Sequence, residues 1–251
     1  MMTANRSERF SRLFAIYNER ILLPRYINSV SVMGTPDCEE EGRPLLYVMN
    51  HSSWWDGIIA YHVFTRLSRN RKHYIMMDEK QLAKFTFFRR LGAFSIDKST
   101  LRGVAESLRY AQSLLMQGHG VWLFPQGEIR HLEARPLSFQ SGVGFLLERC
   151  PSAAVKPVTA YYAMSKEQKP VVTLRFGDEL LLDWQGLGRK AIVSRLQVAI
   201  ESQLDEQRQN SITADGGVME GYRTILQASS STSGRYESMR RRLASWNPFS
   251  G

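Results

Sequence analysis

The sequence predicts an α/β domain with a mostly parallel central sheet covered by helices. Its 251 residues are 43% hydrophobic and 23% charged, an ordinary globular mixture that excludes a disordered chain. Short apolar runs rich in Val, Tyr and Phe alternate with segments of helical length and period. This alternation is typical of strands that are buried between crossover helices.

Residues 1–28 are predicted to form an amphipathic helix. Its apolar residues recur at helical spacing before Pro24, which we expect to end the helix: Phe10, Leu13, Phe14, Tyr17 and Ile21. Charged residues interrupt this segment, so it does not read as a secretion signal, and no apolar stretch approaches the ~18 residues that a membrane-spanning helix needs. Two interpretations stay open, a helix packed on its own domain and a helix lying on anionic lipid.

Residues 29–207 are predicted to form the main domain. Strands are expected at SVSVMG, PLLYVMN, HYIMM, SID, GVWLFP, AVKPVTAYYA and VVTLRF, with helices from Ser53, over Ser99 to Gln117, near Ser141 to Arg149, and over Arg189 to Gln207. The last helix is predicted by a four-residue apolar repeat: Ile192, Leu196, Ile200 and Leu204.

Residues 208–251 are predicted to form a helical extension, a Ser-rich linker and a basic tail. The linker is ASSSTSG at 228–234, and the tail carries Arg240, Arg241 and Arg242 beside Met239, Leu243, Trp246 and Phe249. A disordered end and a second membrane anchor are both open interpretations of this tail.

The charge balance favours an anionic partner. Lys and Arg total 33 against 24 Asp and Glu, a formal net charge of +9. Nucleic acid, acidic lipid and phosphorylated metabolites are all compatible with it. Cys38 and Cys150 are the two cysteines and have no CxxC spacing, so neither a disulfide framework nor a thiolate metal site is encoded, as expected in a reducing compartment.

The run NHSSWWDG at 50–57 follows a predicted strand, where open α/β sheets place their active sites. In one continuous helix His51 and Asp56 would point in separate directions, so they can meet only if His51 lies in the preceding turn. Ser53 and Asp56 form a capping-box pattern that would start the helix at Ser53. A carboxylate that holds a histidine supplies a general base, although each residue alone also fits a capping or loop role.

A second run, FPQGEIR at 124–130, follows the predicted strand GVWLFP. Pro125 restricts the backbone and Gly127 frees it, as a tight turn requires. Arg130, His131 and Arg135 concentrate positive charge beyond the turn, which suits a phosphate or the anionic head of a coenzyme, while an ordinary loop remains possible.

The blocks NHSSWWD, GAFSID (92–97), FPQGEIR and VKPV (155–158) together resemble, in order, those of the glycerolipid and lysophospholipid acyltransferases of the 1-acylglycerol-phosphate type. The resemblance implies transfer of a fatty acyl group from coenzyme A or acyl-carrier protein to a lipid hydroxyl, with His51 as catalytic base and Asp56 orienting it. It assigns substrate binding to Lys98 and the third block: Phe124, Pro125, Gln126, Gly127, Glu128 and Arg130.

The third block departs from the family pattern FPEGTRS. Gln126 replaces its Glu, Glu128 its Thr and Ile129 its Arg, and a basic residue follows one position later as Arg130. In the family this block helps to bind the phosphate of the acceptor. A neutral or glycosylated lipid therefore competes with a lysophospholipid as the expected acceptor.

The resemblance predicts a peripheral protein on the cytoplasmic face of a membrane, with an anionic lipid surface as partner. The segment FTFFRRLGAF at 85–94 mixes aromatic and basic residues, as at a headgroup boundary, although core packing would also explain it. Neither a metal nor a cofactor is expected beyond the thioester co-substrate, because His62, His73, His119 and His131 lack paired spacing. A non-catalytic lipid-binding protein of this fold is the alternative, and nucleic-acid binding ranks last for want of a recognisable module.

Overall fold

A computed structural model describes residues 1–38, 40, 42–68, 70–164, 166, 168–215, 217, 219–228 and 240. Its centre is an eight-stranded sheet in the order β4-β3-β5-β2-β6-β7-β1-β8. The strands are β1 Ser29–Met33, β2 Leu45–Met49, β3 His73–Asp78, β4 Ala93–Ile96, β5 Gly120–Leu123, β6 Ala154–Ala163, β7 Val171–Phe176 and β8 Arg223–Gln227. Of the strand pairs in the described residues, β6–β7 and β1–β8 are antiparallel and the other five are parallel. The predicted α/β class with a mostly parallel sheet is confirmed.

Helices cover both faces of the sheet. They are α1 Glu8–Tyr17, α2 Leu23–Tyr26, α3 Asp56–Leu67, α4 Glu79–Lys84, α5 Leu101–Met116, α6 Gly142–Glu148 and α7 Trp184–Thr213, with a π turn at Asn18–Leu22 and a 3-10 turn at Thr86–Leu91. Along β2, Tyr47 packs into the core beneath α3, while Val48 packs into the opposite core beneath α5, α6 and α7. This period of two buries the central strand on both faces.

The N-terminal helix differs from its prediction at Pro24. Helical backbone continues through Pro24 to Tyr26, because proline stands in the first turn of α2, where its missing N–H is not needed. The predicted apolar stripe also divides in two. Phe10 and Phe14 pack against the core, whereas Leu13 is 68% and Ile21 56% exposed.

The C-terminal part also differs from its prediction. Helix α7 begins before Arg189 and ends after Gln207, with a break in helical geometry at Gly188. Beyond it the chain adds β8 antiparallel to β1, so residues 208–251 are not only a helical extension. Apart from Arg240, which is exposed, the predicted linker beyond Ala228 and the basic tail lie outside the described residues. In the described part of the chain, none of the helices combines the length and apolar character needed to cross a bilayer.

Two histidines are buried, His62 on α3 and His73 at the start of β3. His73 accepts a hydrogen bond from Trp122 Nε1 at 3.1 Å on Nδ1, and its Nε2 lies 3.0 Å from Ser68 Oγ. His62 is 3% exposed, and its buried Nε2 has no hydrogen-bond partner among the residues that the structure describes. Burial lowers the pKa of His73 to about 3 and that of His62 to about 4, because neither imidazolium would be solvated.

These histidines predict acid sensitivity. The unfolded chain binds their protons near pH 6.5 and the folded chain only near pH 3 to 4, so the free energy of unfolding should fall as pH drops below 6.5. Each proton contributes ~1.4 kcal/mol per pH unit. Urea unfolding between pH 6.5 and 5 should show this slope, and His62→Leu should reduce it by about half. The exposed His131→Asn serves as control; an unchanged slope in His62→Leu would contradict the assignment.

Candidate active site

The polar residues of the two motifs meet at one edge of the sheet. β2 and β5 are parallel neighbours, and the loops that carry NHSSWWDG and FPQGEIR follow their carboxyl ends. β6, parallel to β2 on its other side, ends at the same edge with Tyr162 and Ala163. This edge is where open α/β sheets bind their ligands.

Asn50 fastens the first loop to β6. Its side-chain Nδ2 donates to Ala160 O at 3.0 Å, and its Oδ1 accepts from Ala160 N at 2.8 Å. The residue is 1% exposed. These two buried hydrogen bonds fix the point at which the chain leaves β2, and with it the position of His51.

His51 lies before α3, as the prediction required for contact with Asp56. Its Nδ1 is 2.8 Å from Asp56 Oδ2. The helix, however, begins at Asp56 rather than at Ser53, and Ser53 Oγ accepts from Trp55 N instead of capping the helix three residues on. Of the predicted capping box, only the bond from Ser53 N to the Asp56 carboxylate forms, at 2.9 Å.

The Asp56 carboxylate is completely buried and receives four hydrogen bonds. Oδ2 accepts from His51 Nδ1 and from the amides of Ser52 and Ser53, at 2.8, 2.8 and 2.9 Å. Oδ1 accepts from the Tyr162 hydroxyl at 2.6 Å. A carboxylate at zero exposure is stable in its charged form only when its lone pairs are satisfied in this way.

The His51 ring is packed against an aromatic ring and remains partly exposed. It stacks on Phe124 with 4.5 Å between ring centroids. Its side chain remains 22% exposed, whereas that of Asp56 is 0% exposed. Because Asp56 can only accept, Nδ1 carries the proton and Nε2 is left with a free lone pair, which is what a general base requires.

The third block supports the loop that carries His51. The Gln126 side chain, predicted to bind substrate, is 4% exposed, and its Oε1 accepts from His51 N at 2.6 Å. Arg130 N donates to His51 O at 2.9 Å. Pro125 is buried, and Gly127 has φ +77, a backbone conformation that favours glycine at this turn. Gln126 thus joins two loops, a role that its polarity alone did not reveal.

Acidic partners neutralise the cations near this edge. Lys98 Nζ is 3.1 Å from Asp78 Oδ2 and also donates to Gly127 O. Arg130 pairs with Glu128. Further along the same loop, Arg135 pairs with Asp205 of α7, with 2.6 Å between Arg135 Nη2 and Asp205 Oδ1. Both arginines of the positive cluster predicted beyond the turn are therefore ion-paired.

Tyr162 and Asn50 are the site residues without a predicted role. Tyr162 is 106 positions from Asp56, and no local pattern links them. The one available signal was its place near the end of a strand at the same edge. Within the described ranges, no three His, Cys, Asp or Glu side chains group as a metal site would require, and the expectation of metal-free chemistry stays a prediction.

Sequence comparison decides the family. A family model described as Acyltransferase matches residues 29–172, more than half of the chain. The chain belongs to the acyltransferase family. The matched range contains His51, Asp56 and Tyr162, so the whole hydrogen-bonded cluster lies inside the acyltransferase domain. No curated protein shows a significant match to the chain.

Structural comparison adds no functional information about this acyltransferase. A solved structure described as "Crystal Structure of the Pilus Retraction Motor PilT and Bound ADP" shares 15% identity over 68% of this chain, with a TM-score of 0.33. The aligned region spans 58% of that chain. A likeness at this level carries no argument about this site.

Proposed function

We propose that this acyltransferase moves a fatty acyl group from a coenzyme A or acyl-carrier-protein thioester to a lipid hydroxyl. The contact between His51 Nδ1 and the buried Asp56 carboxylate carries the proposal. It leaves Nε2 as the base, at the edge of the sheet where α/β folds bind their ligands.

The reaction needs no covalent enzyme intermediate. His51 Nε2 removes the proton of the acceptor hydroxyl as its oxygen attacks the thioester carbonyl, and Asp56 stabilises the imidazolium. When the tetrahedral intermediate collapses, the carbon–sulfur bond breaks and the imidazolium returns the proton to the leaving thiolate. The products are the acyl ester and the free thiol, and His51 is neutral again.

His51→Ala should abolish transfer without unfolding the protein, and Asp56→Asn should reduce it severely. Loss of a general base costs ~10² to 10⁴ in rate. The measurement is ester formation from labelled acyl thioester with a panel of lipid acceptors, identified by mass, with His131→Ala as the matched histidine control. Normal turnover by folded His51→Ala would refute the mechanism. Lipid binding without turnover in the parent protein would favour the non-catalytic alternative.

We propose further that the acceptor is a neutral lipid hydroxyl rather than a lysophosphatidate. Ile129 occupies the position of the family's arginine and is half-exposed, and the neighbouring Arg130 is engaged by Glu128. Lys98 is likewise paired with Asp78. A phosphate would have to displace a carboxylate to reach either cation, and Glu128 would repel it.

The parent enzyme should show higher kcat/KM with glycerol or glycosyl hydroxyl acceptors than with lysophosphatidate. Glu128→Gln should raise kcat/KM for lysophosphatidate selectively, because it frees Arg130. Glu133→Gln, which removes an ion pair with Arg208 elsewhere, is the control. A parent preference for lysophosphatidate that Arg130→Ala abolishes would show that Arg130 binds phosphate despite Glu128.

The proposed partner is an anionic membrane surface, and a chain of ring contacts supports it. The aromatic belt consists of Tyr17, Phe14, Phe87, Phe88, Phe85, Trp54, Trp55 and Tyr26, each ring within 6.4 Å of the next by centroid distance. Trp54 and Trp55 lie between His51 and Asp56 in the sequence. The belt therefore runs from Tyr17 on α1, past the loop that carries His51, to Tyr26 on α2.

The belt has the surface chemistry of a lipid interface. Trp54 is 48% exposed, and beside the belt Leu13 and Ile16 of α1 are 68% and 53% exposed. Cations accompany its rings: Lys84 Nζ lies 5.3 Å from the Phe85 ring centroid and the Arg25 guanidinium 5.6 Å from that of Tyr26. Exposed apolar groups between cations favour insertion at the headgroup boundary of anionic lipid.

Leu13→Ser combined with Ile16→Ser should weaken binding to anionic vesicles by about tenfold or more, because each side chain contributes ~1 kcal/mol or more of burial. High salt should weaken binding as well, by screening the charges. The measurement is vesicle pelleting. Val198→Ser combined with Ile212→Ser, two exposed apolar residues on α7, is the control. Equal binding by both double variants would contradict the proposed surface.

A further inference from the structure

The hydroxyl of Tyr162 stands apart from the other donors to Asp56. The remaining three converge on Oδ2, whereas Tyr162 donates to Oδ1 at 2.6 Å. Among the described residues, no other hydrogen bond to Oδ1 is formed. Tyr162 thus controls one of the two carboxylate oxygens, and His51 binds the other.

The phenol is a permanent donor. Burial and the adjacent Asp56 charge raise the pKa of Tyr162 well above its usual value, so the hydroxyl keeps its proton at any working pH. β6 fixes its direction. Asn50 bonds to Ala160 on the same strand, two residues before Tyr162, so the strand that carries the phenol also anchors the loop that carries His51.

We propose that Tyr162 is a positioning residue that orients the Asp56 carboxylate and disperses its negative charge, and so sets the pH at which His51 becomes a competent base. A hydrogen bond to Oδ1 withdraws charge from the carboxylate and weakens its attraction for the imidazolium. The proposal rests on the proposed function of His51, but its geometric basis is the Tyr162–Asp56–His51 chain itself.

Other charges near His51 are already compensated. In the loop after β4, Lys98 pairs with Asp78 of β3. In the loop after β5, Glu128 and Arg130 pair with each other. α3 also carries Tyr61, His62 and Arg66, and β6 also carries Lys156 and Tyr161. Of the titratable groups on these two elements, Asp56 and Tyr162 are the ones in the hydrogen-bonded chain to His51. A substitution at Tyr162 therefore changes the field at His51 through Asp56.

Tyr162→Phe tests the proposal, with Tyr161→Phe as the matched control. Tyr161 is the adjacent residue, and its hydroxyl also donates to a carboxylate, that of Glu133 at 3.0 Å, outside the site. In Tyr162→Phe we expect the acid limb of the kcat–pH profile to move to higher pH by ~0.5 to 1 unit and the plateau to fall by about tenfold, with little change in KM. Tyr161→Phe should change neither.

A second readout does not depend on activity. The pH at which the His51 ring resonances change in an NMR titration should move upward by the same amount in Tyr162→Phe, and this shift should be largely lost in an Asp56→Asn background. If the parent protein shows no acyl transfer, the proposed function fails while this titration still tests Tyr162. If the kcat–pH profile and the NMR titration of Tyr162→Phe both match those of Tyr161→Phe, the positioning role is refuted.

Replacing Tyr162 with 3-fluorotyrosine covers the case in which Tyr162→Phe does not fold. This near-isosteric phenol is a stronger donor, so both midpoints should move to lower pH, opposite to the effect of phenylalanine. Movement in the same direction in both variants, or no movement with 3-fluorotyrosine, would overturn the proposal.

Discussion

The candidate site depends on one buried charge. Asp56 lies at zero exposure, and an unpaired carboxylate there would cost several kcal/mol. Four donors from two segments of chain, the turn after β2 and the end of β6, offset this cost, and they can converge on Asp56 only if both segments hold their positions against the start of α3. The requirement to solvate Asp56 thus specifies the geometry of the loop that carries His51.

Much of this arrangement could be predicted from the sequence because it is encoded locally. The strand before Asn50, the turn that holds His51 and its contact with Asp56 all lie within about ten residues, and hydrophobic period and turn chemistry act over that range. Helix α7 was likewise predicted by its four-residue repeat, although helical geometry extends it at both ends.

The parts that could not be predicted depend on tertiary contact. Tyr162 becomes a donor to Asp56 only because β6 pairs with β2, and strand order is not written in the local pattern. The hydrogen bond from His51 N to Gln126 Oε1 likewise joins two loops that lie 75 positions apart in the sequence. Strand β8 was not predicted because its partner, β1, lies almost two hundred residues earlier. Pro24 does not end the helix because it stands in the first turn of α2, directly after the π turn at Asn18–Leu22.

The use of backbone amides from Ser52 and Ser53 has an evolutionary consequence. Every residue except proline supplies an amide hydrogen, so the solvation of Asp56 places almost no demand on which side chains occupy these two positions. Mutational drift at 52 and 53 can therefore alter the surface beside the histidine while the carboxylate keeps two of its donors. Substrate preference can therefore change through substitutions at these two positions while the contact between His51 and Asp56 is kept.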